Sequence, residues 1–297
     1  MGLRIAVTGW TGQVVRAMLE RVPAGVEVIA LRRPELDLAD HRTIAPALRS
    51  ARPDVIVNAA AYTAVDQADS EPALAMRING SAAGEAARAA TILGIPVIQL
   101  STDYVFDGNL DRPYREEDAT GPISAYGASK LAGEQAVAAA TANYAVLRTA
   151  WIYSPFGKNF VKTMLRLAET HDEVAVVADQ HGCPTSALDI ADAVFAVARN
   201  LVARADDATL RGVFHMSATG EAAWADVAEA IFAERERHGG KPVAVKRIAS
   251  SDYPTPARRP ANSRLDCSKL AARHGVALPA WRSSLAVCVG RLLKDQE

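Results

Sequence analysis

A doubly wound α/β fold is predicted for this 297-residue chain by three observations. Short apolar runs alternate with alanine-rich helical stretches, a glycine-rich turn follows the first run directly, and the rhythm loosens after Trp151. The strand-like runs are Leu3 to Thr8, Val26 to Leu31, Asp54 to Asn58, Pro96 to Leu100 and Tyr144 to Arg148. They are largely apolar rather than alternating, as strands are when helices cover both faces of a parallel sheet. Helical stretches near 12–21, 41–50, 71–93 and 126–141 supply the crossovers such a sheet needs.

Beyond Trp151 the sequence predicts a helix over Asn159 to Glu169, a strand over Val174 to Ala178 and a helix over Leu188 to Leu201. A strand at Val213 to Met216 and a helix at Ala223 to Glu234 follow. The run from Tyr253 to Pro260 holds three prolines, which remove backbone donors and fix φ, so it reads as an ordered loop. The expected division is a nucleotide-binding domain over 1–150 carrying the catalytic residues, and a smaller C-terminal α/β region over 151–297, mainly for substrate, packed on the first.

With 49% hydrophobic residues and a net charge of −1 from 33 basic and 34 acidic side chains, the chain has no general attraction for nucleic acid or anionic membranes. Phosphate recognition must therefore be local. Cys183, Cys267 and Cys288 are widely spaced and odd in number, which gives neither a disulfide framework nor a zinc pattern, and the histidines form no metal-ligand set. No signal-peptide pattern and no apolar run of membrane-spanning length is seen, so a cytoplasmic location without bound metal is expected.

Thr8-Gly9-Trp10-Thr11-Gly12-Gln13-Val14-Val15 lies between the first strand and its helix, where backbone N–H groups can hold a pyrophosphate. The usual third glycine is Val15, so the close helix-to-strand approach that glycine allows must be relaxed. At the end of the second strand, where NAD-specific proteins often carry an acid, stand Arg32 and Arg33. A guanidinium suits a 2′-phosphate, which favours NADPH, although two solvated surface arginines are an equally ordinary reading of the pair. Asp37 and Leu38 follow at a position suited to the adenine, and Asn58-Ala59-Ala60-Ala61 ends the third strand with small residues that let a cofactor lie close.

Tyr126-Gly-Ala-Ser-Lys130 opens a predicted helix, where positions four apart share a face. An ammonium near a phenol stabilises the phenolate, so Lys130 is expected to make Tyr126 a better acid. Ser101-Thr102-Asp103-Tyr104 follows the fourth strand at the ligand-binding edge of the sheet, and the Thr102 hydroxyl is the candidate to polarise a carbonyl.

Taken together, Gly9-x-x-Gly12-Gln13, the segment from Asn58 to Asp66, the segment from Ser101 to Gly108 and Tyr126-x-x-x-Lys130 resemble the dTDP-4-dehydrorhamnose reductases, within the extended short-chain dehydrogenase/reductases. The resemblance continues through Arg148 to Tyr153, Asn159 to Leu167, Asp179 to Thr185 and Arg259 to Asp266, covering nearly the whole chain. It implies a Rossmann-like fold with Thr102, Tyr126 and Lys130 as the catalytic set. It also implies cofactor contacts, with NADPH and possible use of NADH, from Gly12, Gln13, Val14, Asp37, Leu38, Ala61, Tyr62 and Thr63 beside Gly9 and Arg32. Trp151 is placed against the sugar nucleotide, with Thr102, Asp103 and Tyr126, and Arg259 and Asn262 fall on the substrate side. Ala17 stands where some members carry a glutamate that helps bind magnesium at a dimer contact, so a monomer or a homodimer without that bridge is expected.

The reaction implied is NADPH-dependent reduction of the C4 keto group of dTDP-4-dehydro-β-L-rhamnose. Reduction of another dTDP-4-keto-6-deoxy sugar is an alternative. So is a non-catalytic regulatory role like that of the methionine adenosyltransferase partner, against which the intact Thr102, Tyr126 and Lys130 argue. A dehydratase would need an Asp-Glu pair after the threonine, whereas Asp103 is followed by Tyr104.

Overall fold

The five apolar runs become five neighbouring strands of one sheet in the computed structural model, which describes residues 2–294. They are β1 (Leu3–Thr8), β2 (Val26–Leu31), β3 (Val55–Asn58), β4 (Val97–Thr102) and β5 (Tyr144–Thr149). A sixth strand, Gly212–His215, lies beyond β5, and the spatial order runs from it through β5, β4, β3 and β1 to β2. All neighbouring pairs are parallel. The chain leaves β1 toward β2 on one side and returns to β3 on the other, so a crevice opens at the C-terminal ends of β1 and β3, where open sheets of this kind take ligands.

Both faces of the sheet are covered, which is why its strands carry unbroken apolar runs. Ile5, Val7, Val57, Ile98 and Leu147 pack against Val14 and Met18 of the helix Gln13–Glu20 and against Ile190, Val194 and Val197 of the helix Ala187–Ala203. Ala6, Ile56 and Val97 face Ile44 and Leu48 and the alanines of Ala82–Leu93. Ile5, Ile56, Ile98 and Leu147 are completely buried, each contributing roughly 1.5–3 kcal/mol of transfer free energy. The sixth strand and the helix Ala187–Ala203 come from beyond residue 150, so that expected division is not a clean cut along the chain.

The stretch read as one helix over 71–93 is broken: Pro72–Ala75 leads into a π-helical turn, Met76–Ser81, before Ala82–Leu93. The widened turn brings Asn79 toward the helix Ala125–Ala140, where its Nδ2 donates to the Ser129 hydroxyl at 2.9 Å. Gly133 makes this approach possible, since a Cβ there would stand 2.2 Å from the Asn79 carbonyl oxygen.

A second core joins Phe160–Leu167, Trp224–Arg237 and Trp281–Lys294 with the parallel strands Glu173–Val177 and Ala244–Ile248. The last helix and the strand Ala244–Ile248 are additions to the predicted elements. The proline-rich loop is irregular, as its composition requires. Among the described residues no helix is long and apolar enough to cross a membrane.

Candidate active site

A cleft of about 1230 Å³ runs from the β1–β2 edge across the ends of β3 and β4 to the second core. Its floor is fixed by a polar chain that crosses three strands. The Thr8 hydroxyl donates to Asn58 Oδ1 at 2.8 Å, Asn58 Nδ2 to Gln99 Oε1 at 2.7 Å, and Gln99 Nε2 to the Leu100 carbonyl at 2.8 Å. Thr8 Oγ1 also accepts from the backbone N–H groups of Ala59 and Ala60, fixing the small-residue run beside the glycine turn.

Gly9 has φ +99°, a conformation that strains any side chain. A Cβ at Gly9 would meet Ala60 at 3.2 Å and Val15 at 3.6 Å. Val15 is thus accommodated by being buried beneath the turn. Gly12 caps the helix Gln13–Glu20 without any side-chain hydrogen bond, and a Cβ on it would find nothing within 4 Å. The first backbone donors of that helix therefore face open cleft, the arrangement a pyrophosphate requires.

Tyr126 and Lys130 lie on the first turns of Ala125–Ala140, whose N-cap Ser124 accepts from the Gly127 N–H at 3.2 Å. The two side chains share the cleft with Thr102. Thr102 donates to Asp103 Oδ1 at 2.9 Å and accepts from the Tyr104 N–H at 3.2 Å. Burial raises the Tyr126 pKa, Thr102 opposes that shift, and the neighbouring Asp103 charge adds to it. Asp103 is itself pushed up to about 6 by burial, which the hydrogen bond from Thr102 opposes. Tyr104 meets Tyr126 edge-on with ring centres 5.7 Å apart.

Lys130 Nζ donates to the Leu100 carbonyl at 2.6 Å. Burial holds Lys130 down at about 8, the Glu134 carboxylate opposing. Since an unfolded chain keeps lysine protonated to about pH 10.4, the folded state sheds this proton first. Stability should therefore rise with pH between these values, as the cost of a buried charge is relieved. Urea denaturation of the unaltered chain and of Lys130→Met at pH 7.5 and 10 should show their difference moving in favour of the unaltered chain, by on the order of 2 kcal/mol. A constant difference would mean that Lys130 titrates as an ordinary lysine.

Gly127 sets the seating of this helix, because a Cβ there would lie 2.1 Å from the Tyr104 carbonyl oxygen. Gly127→Ala must push Tyr126 away from Thr102. Displacements of this kind cost about ten- to a hundredfold in turnover, and steady-state kinetics alongside circular dichroism would check that the loss occurs in a folded protein.

The cleft gathers Gly9, Gly12, Gln13, Val14, Arg32, Asp37, Leu38, Ala61, Thr63, Thr102, Asp103, Tyr126, Lys130, Trp151 and Arg259. Tyr62 and Asn262 do not line it. The Tyr62 hydroxyl donates to Glu71 at 2.6 Å, and both atoms of the Asn262 amide are used, Nδ2 toward Leu110 and Arg112 and Oδ1 toward Arg264. Gln13 has a locking contact as well, its Oε1 accepting from Ser154 and Asn159. Arg259 is tethered to Asp66 at 2.9 Å.

Other cleft residues had no sequence signal. Trp224 stacks on Trp151 at 3.6 Å and 6°, and Phe160 leans on Trp224 at 4.6 Å. Trp151 itself has φ +48°, with Gly182 beneath it, where a Cβ would stand 2.4 Å from the indole. Trp10 and Lys158 also line the cleft.

A glycine turn open to the helix terminus, joined in one cleft to a half-buried phenol, a threonine and a lysine, defines a dinucleotide-dependent oxidoreductase of the short-chain dehydrogenase/reductase type. A family model, the RmlD substrate binding domain, matches residues 3–294, and the chain belongs to this family, that of the dTDP-4-dehydrorhamnose reductases. It is 53% identical to a dTDP-4-dehydrorhamnose reductase of Sinorhizobium fredii over 99% of both chains. It is 46% identical to one of Burkholderia thailandensis over 99% of this chain and all of that one. Among solved structures, a dTDP-4-dehydrorhamnose reductase of Clostridium acetobutylicum superposes with a TM-score of 0.89 at 37% identity, covering 98% of this chain and 100% of that one. One of Bacillus anthracis in complex with NADP gives the same TM-score at 32% identity and the same coverages.

Proposed function

We propose that this protein reduces the C4 keto group of dTDP-4-dehydro-β-L-rhamnose to dTDP-L-rhamnose with NADPH. The observation that carries the reading is that Tyr126, Lys130 and Thr102, at the edge of β4, line the same cleft as the open glycine turn. Family membership supplies the substrate class.

The residues present fit a dinucleotide: uncapped donors at Gln13–Glu20, no Cβ at Gly9 or Gly12, and small side chains at Ala59 to Ala61. When bound, NADPH supplies the hydride. Tyr126 holds its proton at neutral pH because burial disfavours the phenolate, so it stands as the acid for the oxygen on which charge develops. Thr102, fixed by Asp103 and the Tyr104 N–H, offers a second polar group in the same cleft. Lys130, held on the Leu100 carbonyl, carries a positive charge into a water-poor corner next to both. Trp151 and Trp224 form the wall against which a sugar ring would pack.

The test is turnover with purified dTDP-4-dehydro-β-L-rhamnose and related dTDP-4-keto sugars, following NADPH absorbance. Stoichiometric NADPH loss with formation of dTDP-L-rhamnose is expected. Turnover of the keto sugar with no net NADPH loss would instead indicate an epimerase or dehydratase, and no turnover with any of them would remove the reading.

A further inference from the structure

Resting on the reading of the cleft as an NADPH site, we infer that Trp10 is a positioning residue for cofactor choice, holding the Arg32 guanidinium ready for the 2′-phosphate. The two residues leave from adjacent strand tips. Thr8 is in register with Leu31, and the Gly9 N–H donates to the Leu31 carbonyl at 2.7 Å, so Trp10 and Arg32 emerge side by side. The Arg32 guanidinium carbon lies 4.8 Å from the centre of the Trp10 ring.

Arg32 has no carboxylate partner among the described residues, and the tryptophan face is its recorded contact. A long exposed side chain without such a contact samples many rotamers, and ordering it on binding would cost affinity. Stacking fixes the guanidinium plane and leaves its N–H edge free for two oxygens of a phosphate monoester. Trp10 remains 45% exposed, an expensive position for an indole that only filled space. Asp37, the acid of this tip that lines the cleft, has Oδ1 engaged by the Ala39 N–H at 2.9 Å. A held cation at this tip favours the phosphorylated ribose over the unphosphorylated one.

The experiment compares kcat/KM for NADPH with that for NADH in the unaltered chain, Trp10→Ala, Trp10→Phe and Arg32→Ala. Arg32→Ala should lower the NADPH-to-NADH ratio by about tenfold or more. Trp10→Ala should lower it by about three- to tenfold, and Trp10→Phe, which restores a ring face, should recover most of that loss. Equal losses with both cofactors in Trp10→Ala, or a ratio that falls only in Arg32→Ala, would overturn the assignment. Titration of 2′,5′-ADP against 5′-ADP by calorimetry measures the same contrast without turnover. That arm keeps the role of Trp10 distinguishable from the keto-sugar reading: failure of all sugars with an intact binding contrast strikes only the latter.

Discussion

Tyr126→Phe is expected to lower kcat about a thousandfold, while the dissociation constant for NADPH moves by less than about threefold. Phenylalanine keeps the ring that Tyr104 packs against edge-on, so the helix seat and the cleft wall persist. What is lost is one O–H and the proton meant for the developing alkoxide. Burial and the Asp103 charge keep that phenol protonated, so the proton is in place before the reaction begins. Single-turnover oxidation of NADPH by rapid mixing separates the chemical step from binding. An unchanged rate in that measurement would end the case for Tyr126 as proton donor.

Glu134→Ala should destabilise the fold by about 3–5 kcal/mol, the cost of leaving a buried charge without its partner. Arg148 grips Glu134 through Nε and Nη2 at 2.9 and 2.7 Å, with side chains only 4% and 5% exposed, and Ser101 donates to the same carboxylate at 2.5 Å. The guanidinium left behind would have the Phe106 ring as its remaining neighbour of note. Urea midpoints should show the loss, and pairing Glu134→Met with Arg148→Met should recover much of it, since two apolar side chains need no partner. A single variant within about 1 kcal/mol of the unaltered chain would show that Arg148 reaches water on its own.

How far the sequence could be read depended on whether a residue's neighbours are local. β1 to β5 were legible because burial on both faces writes an apolar run into each strand, and Tyr126 and Lys130 because their spacing is a property of one helix. Ala244–Ile248 was missed because Lys246 and Arg247 interrupt its apolar pattern at the edge of a two-stranded sheet. The Glu134–Arg148 pair joins a helix to a strand, and Trp151 meets Trp224 only after the chain has crossed between cores, so no short spacing encodes either. The π turn at Met76–Ser81 was invisible for a related reason, since the contact it serves, Asn79 to Ser129, spans 50 residues. Tyr62 and Asn262 show how a local reading leaves out a side chain's distant partners. They sit in segments characteristic of the family, yet their polar groups are consumed in bracing loops.

The sixth strand has a consequence for synthesis. β5 finds its outer neighbour only in Gly212–His215, so a nascent chain that has emerged through residue 150 carries an unpaired backbone edge. Such an edge is a template for pairing with other chains, and it stays open until the ribosome has delivered residue 215 of 297. Assembly from the N-terminus can form the glycine turn early, but the platform beneath the cleft is sealed late, which makes this interval of translation the one in which chaperone protection matters most.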